Sequence, residues 1–222
     1  MKKHIIVLTI LSTIVVLTRC GLDNITPPTH QLNGKVVFNE ELLNVRHGKI
    51  SLNIYQEDYI KNEPIKVYVA QDGTFSALLY NGKYTIEAIN NNGPWLNHSD
   101  TQYFEIPGVD TLYFDVKPYF LLKDVAIVLD GHTVKSVCNV EQISEDATLL
   151  RLSLFVNNTK FVDENNYNYQ ARQNLRPVKI GGNAVDCTLD KQVQEYEALY
   201  GRLGLQIEGV SEMIYSKVFK IK

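Results

Sequence analysis

The chain has 222 residues, of which 45% are hydrophobic and 21% charged, a composition typical of a folded globular protein and not of a disordered one. Its formal net charge is −3, and loss of Lys2, Lys3 and Arg19 with a leader would leave 19 basic against 25 acidic residues, or −6. Phosphate binding needs a basic stripe and none is visible, which argues against nucleic acid as a partner. The 13 Tyr and 8 Phe, against 2 Met and 1 Trp, favour strands.

Residues 1–19 are predicted to be a signal peptide, with a positively charged start and an apolar run from Ile5 to Leu17 that is too short to cross a membrane. The sequence Leu17-Thr18-Arg19-Cys20 resembles the bacterial lipobox, in which the cysteine is acylated and becomes the first mature residue. Arg19 stands where that pattern normally has Gly, Ala or Ser. A plain secreted protein cleaved elsewhere is therefore the alternative.

Residues 20–31 are predicted to be a lipid-anchored tether, which Pro27 and Pro28 stiffen. The N-terminal lipid would hold the protein at the outer membrane of a bacterial cell envelope. The sequence does not indicate which leaflet of the membrane carries the anchor.

Residues 32–118 predict a first β-sandwich, because short alternating strands are separated by turn signals. The clearest stretch, Gln71–Ile89, predicts a hairpin whose turns are Asp72-Gly73 and Asn81-Gly82. In its second strand Tyr84, Ile86 and Ala88 share one face. The predicted strands are Lys35–Phe38, Ile50–Gln56, Ile65–Ala70, Phe75–Leu79, Tyr84–Ile89, Gln102–Ile106 and Leu112–Val116.

Residues 119–222 predict a second β-sandwich with its own core, joined to the first near Pro118, where proline removes a strand hydrogen-bond donor. The fold class is therefore all-β, with two tandem sandwiches. A turn or two of helix is predicted between Asp190 and Tyr200. The predicted strands are Val125–Leu129, Val134–Val140, Leu149–Val156, Val178–Ile180, Cys187–Leu189, Leu203–Glu208 and Tyr215–Ile221, the last two forming a final hairpin.

Four segments of the first domain resemble the carboxypeptidase regulatory-like, or transthyretin-like, domain: Leu32-Asn33-Gly34-Lys35-Val36-Val37, Gln71-Asp72-Gly73-Thr74-Phe75, Asn81-Gly82-Lys83-Tyr84 and Phe114-Asp115-Val116. With a lipobox before them and an immunoglobulin-like or fibronectin-like sandwich after them, they are similar to a family of uncharacterised bacteroidetes outer-membrane lipoproteins. In that family a Tyr-x-Arg strand precedes a Tyr-Ser strand, as at Tyr200-Gly201-Arg202 and Tyr215-Ser216. The resemblance implies a setting beside starch-utilisation-type glycan-uptake systems, and it implies no mechanism.

No residue pattern indicates a catalytic, cofactor or metal site, so we expect a protein that is not an enzyme. The five histidines never fall at a metal-ligand spacing, and neighbouring carboxylates lie in polar, turn-like stretches. Asp163-Glu164-Asn165-Asn166 lacks the glycine and the closing glutamate of a calcium loop. No nucleophile elbow, phosphate-binding glycine loop or dinucleotide fingerprint is present.

Cys138 and Cys187 are an even pair, which in an oxidising envelope makes a disulfide possible. Both lie in apolar, strand-like runs, and free buried cysteine is a common core residue. Two free thiols are therefore the alternative.

Two aromatic, amide-rich loops are the candidate ligand sites. The first, Asn90–His98, contains Trp95 and Asn97; an indole can stack on a pyranose while amides bond its hydroxyls, or Trp95 can plug the end of its sandwich. The second, Phe161–Pro177, contains Tyr167, Tyr169 and Arg172. A loop of this length is either functional or simply mobile.

These observations predict a non-catalytic cell-envelope lipoprotein that binds polysaccharide or supports an outer-membrane transporter complex for glycans. The alternative is a structural or assembly lipoprotein whose exposed strand edges pair with a partner chain.

The leader generates the first prediction. Cys20→Ala should release the protein into the soluble fraction, because acyl chains contribute about 0.8 kcal/mol per buried methylene and no other apolar segment would hold the cut chain. Fractionation of cells followed by immunoblotting measures this. A variant that still partitions into detergent with the membranes would disprove acylation at Cys20.

Overall fold

A computed structural model describes residues 26–61, 63–97, 101–145, 147–172 and 178–222. The predicted signal peptide, Cys20 and the first part of the tether lie outside these residues, as do residues 173–177 of the long loop. In the described part the structure is all-β with two domains, as predicted. The predicted helix is a short 3-10 segment, Lys191–Glu195. No helix within these ranges is long and apolar enough to span a membrane.

The described part of the first domain is a sandwich of two four-stranded sheets. Its strands are β1 (His30–Phe38), β2 (Glu41–Leu42), β3 (Ser51–Gln56), β4 (Ile65–Tyr68), β5 (Thr74–Leu79), β6 (Gly82–Ala88), β7 (Gln102–Ile106) and β8 (Thr111–Asp115). In the first sheet β1 is central, with β8 parallel on one side and β5 and β2 antiparallel on the other. The second sheet has the order β4-β3-β6-β7. All seven predicted strands are present, and only the two-residue β2 is additional.

The predicted hairpin between β5 and β6 is wrong. β5 pairs with β1, whereas β6 pairs with β3 and β7, so the turn at Asn81-Gly82 crosses from one sheet to the other. The predicted alternation is correct, since Tyr84 and Ile86 of β6 are buried together with Phe75 and Leu79 of β5. Because β5 and β6 lie in opposite sheets, their apolar sides face the same core from its two sides.

The second domain is also a sandwich, with sheet orders β13-β10-β9 and β12-β11-β14, where β15 and β16 both pair with β14. Over its described residues the strands are β9 (Phe120–Asp130), β10 (Thr133–Gln142), β11 (Leu149–Asn157), β12 (Tyr169–Arg172), β13 (Gly181–Thr188), β14 (Tyr200–Ile207), β15 (Ile214–Tyr215) and β16 (Phe219–Lys220). The predicted final hairpin is confirmed by the pairing of β14 with β15 and β16. The predicted strand Val178–Ile180 is wrong, since these residues precede β13, and the predicted strand Cys187–Leu189 covers only the end of β13. The sequence also misses β12.

The possible disulfide is excluded, because Cys138 and Cys187 are free and too far apart. On the antiparallel pair β10 and β13, Cys187 lies opposite Val134 and Cys138 lies opposite Asn183. The two cysteines are thus four residues apart in register, which is roughly 13 Å along a strand and beyond disulfide reach. Burial raises the pKa of Cys138 to about 11 and also raises that of Cys187, so both thiols are protonated and inert at neutral pH.

Arg202 of β14 connects the two domains from a fully buried position. Its guanidinium lies 4.4 Å from the centre of the Tyr215 ring. It also donates hydrogen bonds to four main-chain carbonyls, two in each domain: Val45 at 3.0 Å, Gln71 at 2.8 Å, Ser216 at 2.9 Å and Val162 at 3.3 Å. Burial lowers the pKa of Arg202 to about 10, so the side chain remains charged at neutral pH.

Further polar contacts surround Arg202 at the domain boundary. Arg46 of the first domain pairs with Glu164, at 2.7 Å, and with Glu212, both in the second domain. Lys123 pairs in the same way with Glu41 across the boundary. Most buried hydrophobic residues of both domains form one continuous cluster, whereas the sequence predicts two separate cores. A smaller cluster in the second domain contains Phe155, Val162, Met213 and Tyr215. The two sandwiches therefore pack as one body.

Replacing Arg202 should be strongly destabilising. Arg202→Met removes the donor to four carbonyls, and buried acceptors left without a partner cost on the order of 1–3 kcal/mol each before relaxation. We expect a loss of about 3 kcal/mol or more in the free energy of unfolding, measured by urea denaturation. The control is Arg172→Met, at an exposed site on β12, which should change stability by less than about 0.5 kcal/mol. Equal midpoints for both variants would contradict the role given to Arg202.

Candidate functional site

Trp95 does not face solvent. Only 4% of it is exposed, its ring lies directly over Gly93, and its backbone forms a bridge with Pro118 at the joint between the domains. Trp95 thus plugs the end of the first sandwich, which is one of the two alternatives that the sequence leaves open. The prediction that it stacks on a sugar is wrong, because the faces of a buried indole are already in contact with protein.

Asn97 is exposed but closes its own loop. Its side-chain oxygen accepts a hydrogen bond from the backbone N–H of Asn91 at 2.8 Å, and its amide nitrogen donates to the Asn91 side chain at 3.3 Å. Neighbouring Asn92 accepts a bond from the backbone N–H of Ser51 at 2.7 Å. These amides stabilise the turn. Their role in the turn explains why asparagine is frequent in this stretch, and no ligand is needed to explain it.

The predicted residues of the second loop lie on and beside β12, at the edge of the second domain. Tyr169 and Arg172 are the two ends of β12, and the Tyr169 hydroxyl donates to Asp190 at 2.6 Å. Tyr167 is 42% exposed and its ring lies 5.8 Å from that of Phe155. The structure therefore does not bring the residues of the two loops together into one site.

A polar groove with a volume of about 440 Å³ lies on the outer face of the first sheet, and the sequence reasoning missed it. The alternation of β1 directs Gln31, Asn33 and Lys35 to this face, while Leu32 and Val36 enter the core. The pairing of β1 with β5 and β8 adds hydroxyl side chains from both neighbours. We call it the β1 groove; its polar lining is Gln31, Asn33, Lys35, Thr74, Ser76 and Thr111.

Two exposed tyrosines flank the β1 groove. Tyr68, at the end of β4, is 57% exposed and lines the groove. Tyr113 of β8 is 49% exposed and lies beside Lys35, whose Nζ is 5.3 Å from the centre of the ring. Amides and hydroxyls both donate and accept hydrogen bonds, and phenol rings present flat apolar faces. This combination suits a ligand with many hydroxyls and some apolar surface.

The floor of the β1 groove explains two of the sequence motifs. Gly34 lies opposite Phe75 across β1 and β5, and a Cβ atom at Gly34 would come within 2.0 Å of the Phe75 ring. Only glycine leaves room for that ring. The Asp72 carboxylate accepts bonds from the Thr74 backbone N–H at 3.1 Å and from its hydroxyl at 2.7 Å, which fixes the turn leading into Phe75.

The outer face of the other sheet provides a comparison surface. Tyr103 of β7 is 72% exposed there, in register with Thr85, which in turn lies opposite Tyr55. Lys83 lies on the same face, opposite Glu105. Neither lines the β1 groove. In the ranges that the structure describes, no group of three His, Cys, Asp or Glu side chains could hold a metal ion.

Comparison with known proteins assigns the family. Residues 30–117 match the family described as "Protein of unknown function (DUF3823) N-terminal domain", and residues 120–220 match "Domain of unknown function (DUF3823_C)". The chain belongs to the DUF3823 family. This confirms the predicted resemblance to a two-domain family of uncharacterised function from Bacteroides and its relatives. No curated protein matches the chain.

Solved DUF3823 structures share this architecture. A DUF3823 protein from Parabacteroides merdae ATCC 43184 is 31% identical, with a TM-score of 0.83 over 89% of this chain and 100% of that one. Another from Bacteroides ovatus ATCC 8483 is 25% identical, with a TM-score of 0.79 over 87% and 98%. A protein from Bacteroides uniformis ATCC 8492, described as "a putative carbohydrate binding protein", shares the fold at 14% identity, with a TM-score of 0.67 over 88% and 99%.

Gly34 offers a direct test of the packing beneath the β1 groove. Gly34→Ala should push the Phe75 ring out of its position and lower the free energy of unfolding by about 1–3 kcal/mol, as overpacking does. Thermal or urea unfolding measures the loss. The matched control is Gly182→Ala on β13, where an added Cβ meets nothing within 4 Å. If both alanine variants are as stable as the native protein, the close contact with Phe75 does not exist.

Proposed function

We propose that this DUF3823 protein is a non-catalytic, lipid-anchored protein of the outer membrane that binds glycan in the β1 groove. The observation that carries the proposal is the row of amide and hydroxyl side chains lying between Tyr68 and Tyr113. Sugar hydroxyls exchange bonds with water for bonds with such groups, and a tyrosine ring packs on the apolar face of a pyranose.

A binding role fits the site better than a catalytic one. Glycoside hydrolysis needs two carboxyl groups facing each other across the bond that is cut. None of the residues that line the β1 groove is Asp or Glu. Neither matched family carries a catalytic description, and one structural neighbour is described as "a putative carbohydrate binding protein".

The setting of the proposed function comes from the leader. Acylation at Cys20 would tie the protein to the membrane by the segment that leads into β1 at His30. The first domain would then lie next to the anchor, and the β1 groove would face a glycan held near an outer-membrane transporter. The protein would support uptake by retaining the polymer there.

Affinity electrophoresis in gels that contain single polysaccharides tests the proposal. The double variant Tyr68→Ala/Tyr113→Ala should lose most of its retardation, because each stacked ring contributes about 1 kcal/mol, or roughly fivefold in affinity. Tyr103→Ala on the opposite face is the matched control and should be retarded like the native protein. All variants should first show unchanged melting temperatures.

Three results would count against the β1 groove. Equal retardation of the double variant and the native protein would place the site elsewhere. Loss of retardation only in Tyr167→Ala/Tyr169→Ala would move it to β12. No retardation of the native protein across a broad glycan panel would contradict glycan binding as a whole.

The alternative function, assembly with a protein partner, has one supporting observation. β9 has eleven residues and in the described structure pairs only with β10, so its other edge is open. A groove of about 370 Å³ runs beside its first half, between Glu41–Asn44 and Ile214–Lys217. An extended peptide could add to this edge. A failure of every glycan to bind would make this the better-supported function.

A further inference from the structure

We infer that the β1 groove selects acidic glycans, those that carry carboxylate or sulfate groups, and that Lys35 recognises the negative charge. The inference rests on the proposed function and adds the class of ligand to it. A groove lined only by amides and hydroxyls would bind neutral sugars as well as acidic ones. The charge of Lys35 is therefore the feature that distinguishes the two classes of ligand.

Lys35 is a half-buried cation and the one charged residue that lines the groove. It lies on β1 between Thr74 of β5 and Tyr113 of β8. Its Nζ is 5.3 Å from the Tyr113 ring, and within the described residues it forms no ion pair. The other polar groups that line the groove are amides and hydroxyls, so no lining carboxylate offsets the ammonium.

Three carboxylates lie at or next to the ends of the neighbouring strands, Asp72, Asp110 and Asp115, and in the described structure none forms an ion pair with Lys35. Asp110 directly precedes β8. Asp72 precedes β5, and its side chain accepts two bonds from Thr74. Asp115 is the last residue of β8 and lies opposite Val37, two positions beyond Lys35. Lys35 is therefore the one charged side chain in the lining of the groove, on a protein whose overall charge is −3.

The contrast between the positive charge of Lys35 and the negative charge of the whole protein shapes the expected selectivity. The negative protein repels polyanions at long range, so binding to them needs a specific short-range contact. A ligand carboxylate or sulfate that reaches Lys35 gains a charge-assisted hydrogen bond, which is roughly twice as strong as a neutral one. Tyr113, already beside the ammonium, would hold the sugar ring next to the charged group.

The experiment compares polygalacturonate with the same polymer after full methyl esterification, in affinity gels and by calorimetry on the full chain. The backbone and most hydroxyls are identical, and only the charge differs. We expect the native protein to bind the acid form about tenfold more tightly than the ester. Lys35→Met should reduce binding of the acid form to the level of the ester, and Lys35→Arg should restore the preference.

Controls separate this inference from the proposed function. Lys83→Met, which removes a lysine from the opposite face, should bind as the native protein does. Chondroitin sulfate serves as a second acidic polymer, and starch and galactan as neutral ones. Preference for neutral polymers, or equal binding of acid and ester, overturns the acidic class while glycan binding stands. Binding of no polymer overturns both.

Discussion

A single buried guanidinium determines how the two halves of this protein fit together. The four carbonyls that Arg202 bonds come from the strand ends and turns of both sandwiches, so the site is complete only when both have folded. A buried charge without these partners would be costly, which disfavours any other packing of the domains. The ion pairs of Arg46 with Glu164 and Glu212 also hold the two domains in this arrangement. The β1 groove thus belongs to a molecule whose two sandwiches are packed together.

The strands were largely predictable from sequence because alternation is a local signal. Tyr84, Ile86 and Phe75 are buried as their period-2 pattern indicates. Their partners were not predictable, since the dipeptide Asn81-Gly82 suits a tight hairpin and also a turn that crosses between sheets. The choice depends on which faces bury most apolar surface across the whole sandwich, and that is a long-range property.

The candidate site was harder to predict, for two physical reasons. Loop composition does not tell whether Trp95 points inward, and the space above Gly93 decides it. The β1 groove combines strands that are distant in sequence, since β1 pairs with both β5 and β8. The local signal was the set of outward positions on β1, but a polar outward face is also what any solvated strand shows.

Because β1 and β8 run parallel, a force applied along the chain would load this pair of strands in shear. The chain enters β1 at His30 and leaves β8 at Asp115 toward the second domain, so the two strands would be pulled in opposite directions. The evenly spaced bonds of a parallel ladder then carry the load together, and none can open alone. A glycan that pulls on the first domain, or a partner that pulls on the second, would therefore be connected to the attachment of the N-terminus by a mechanically stiff pair of strands.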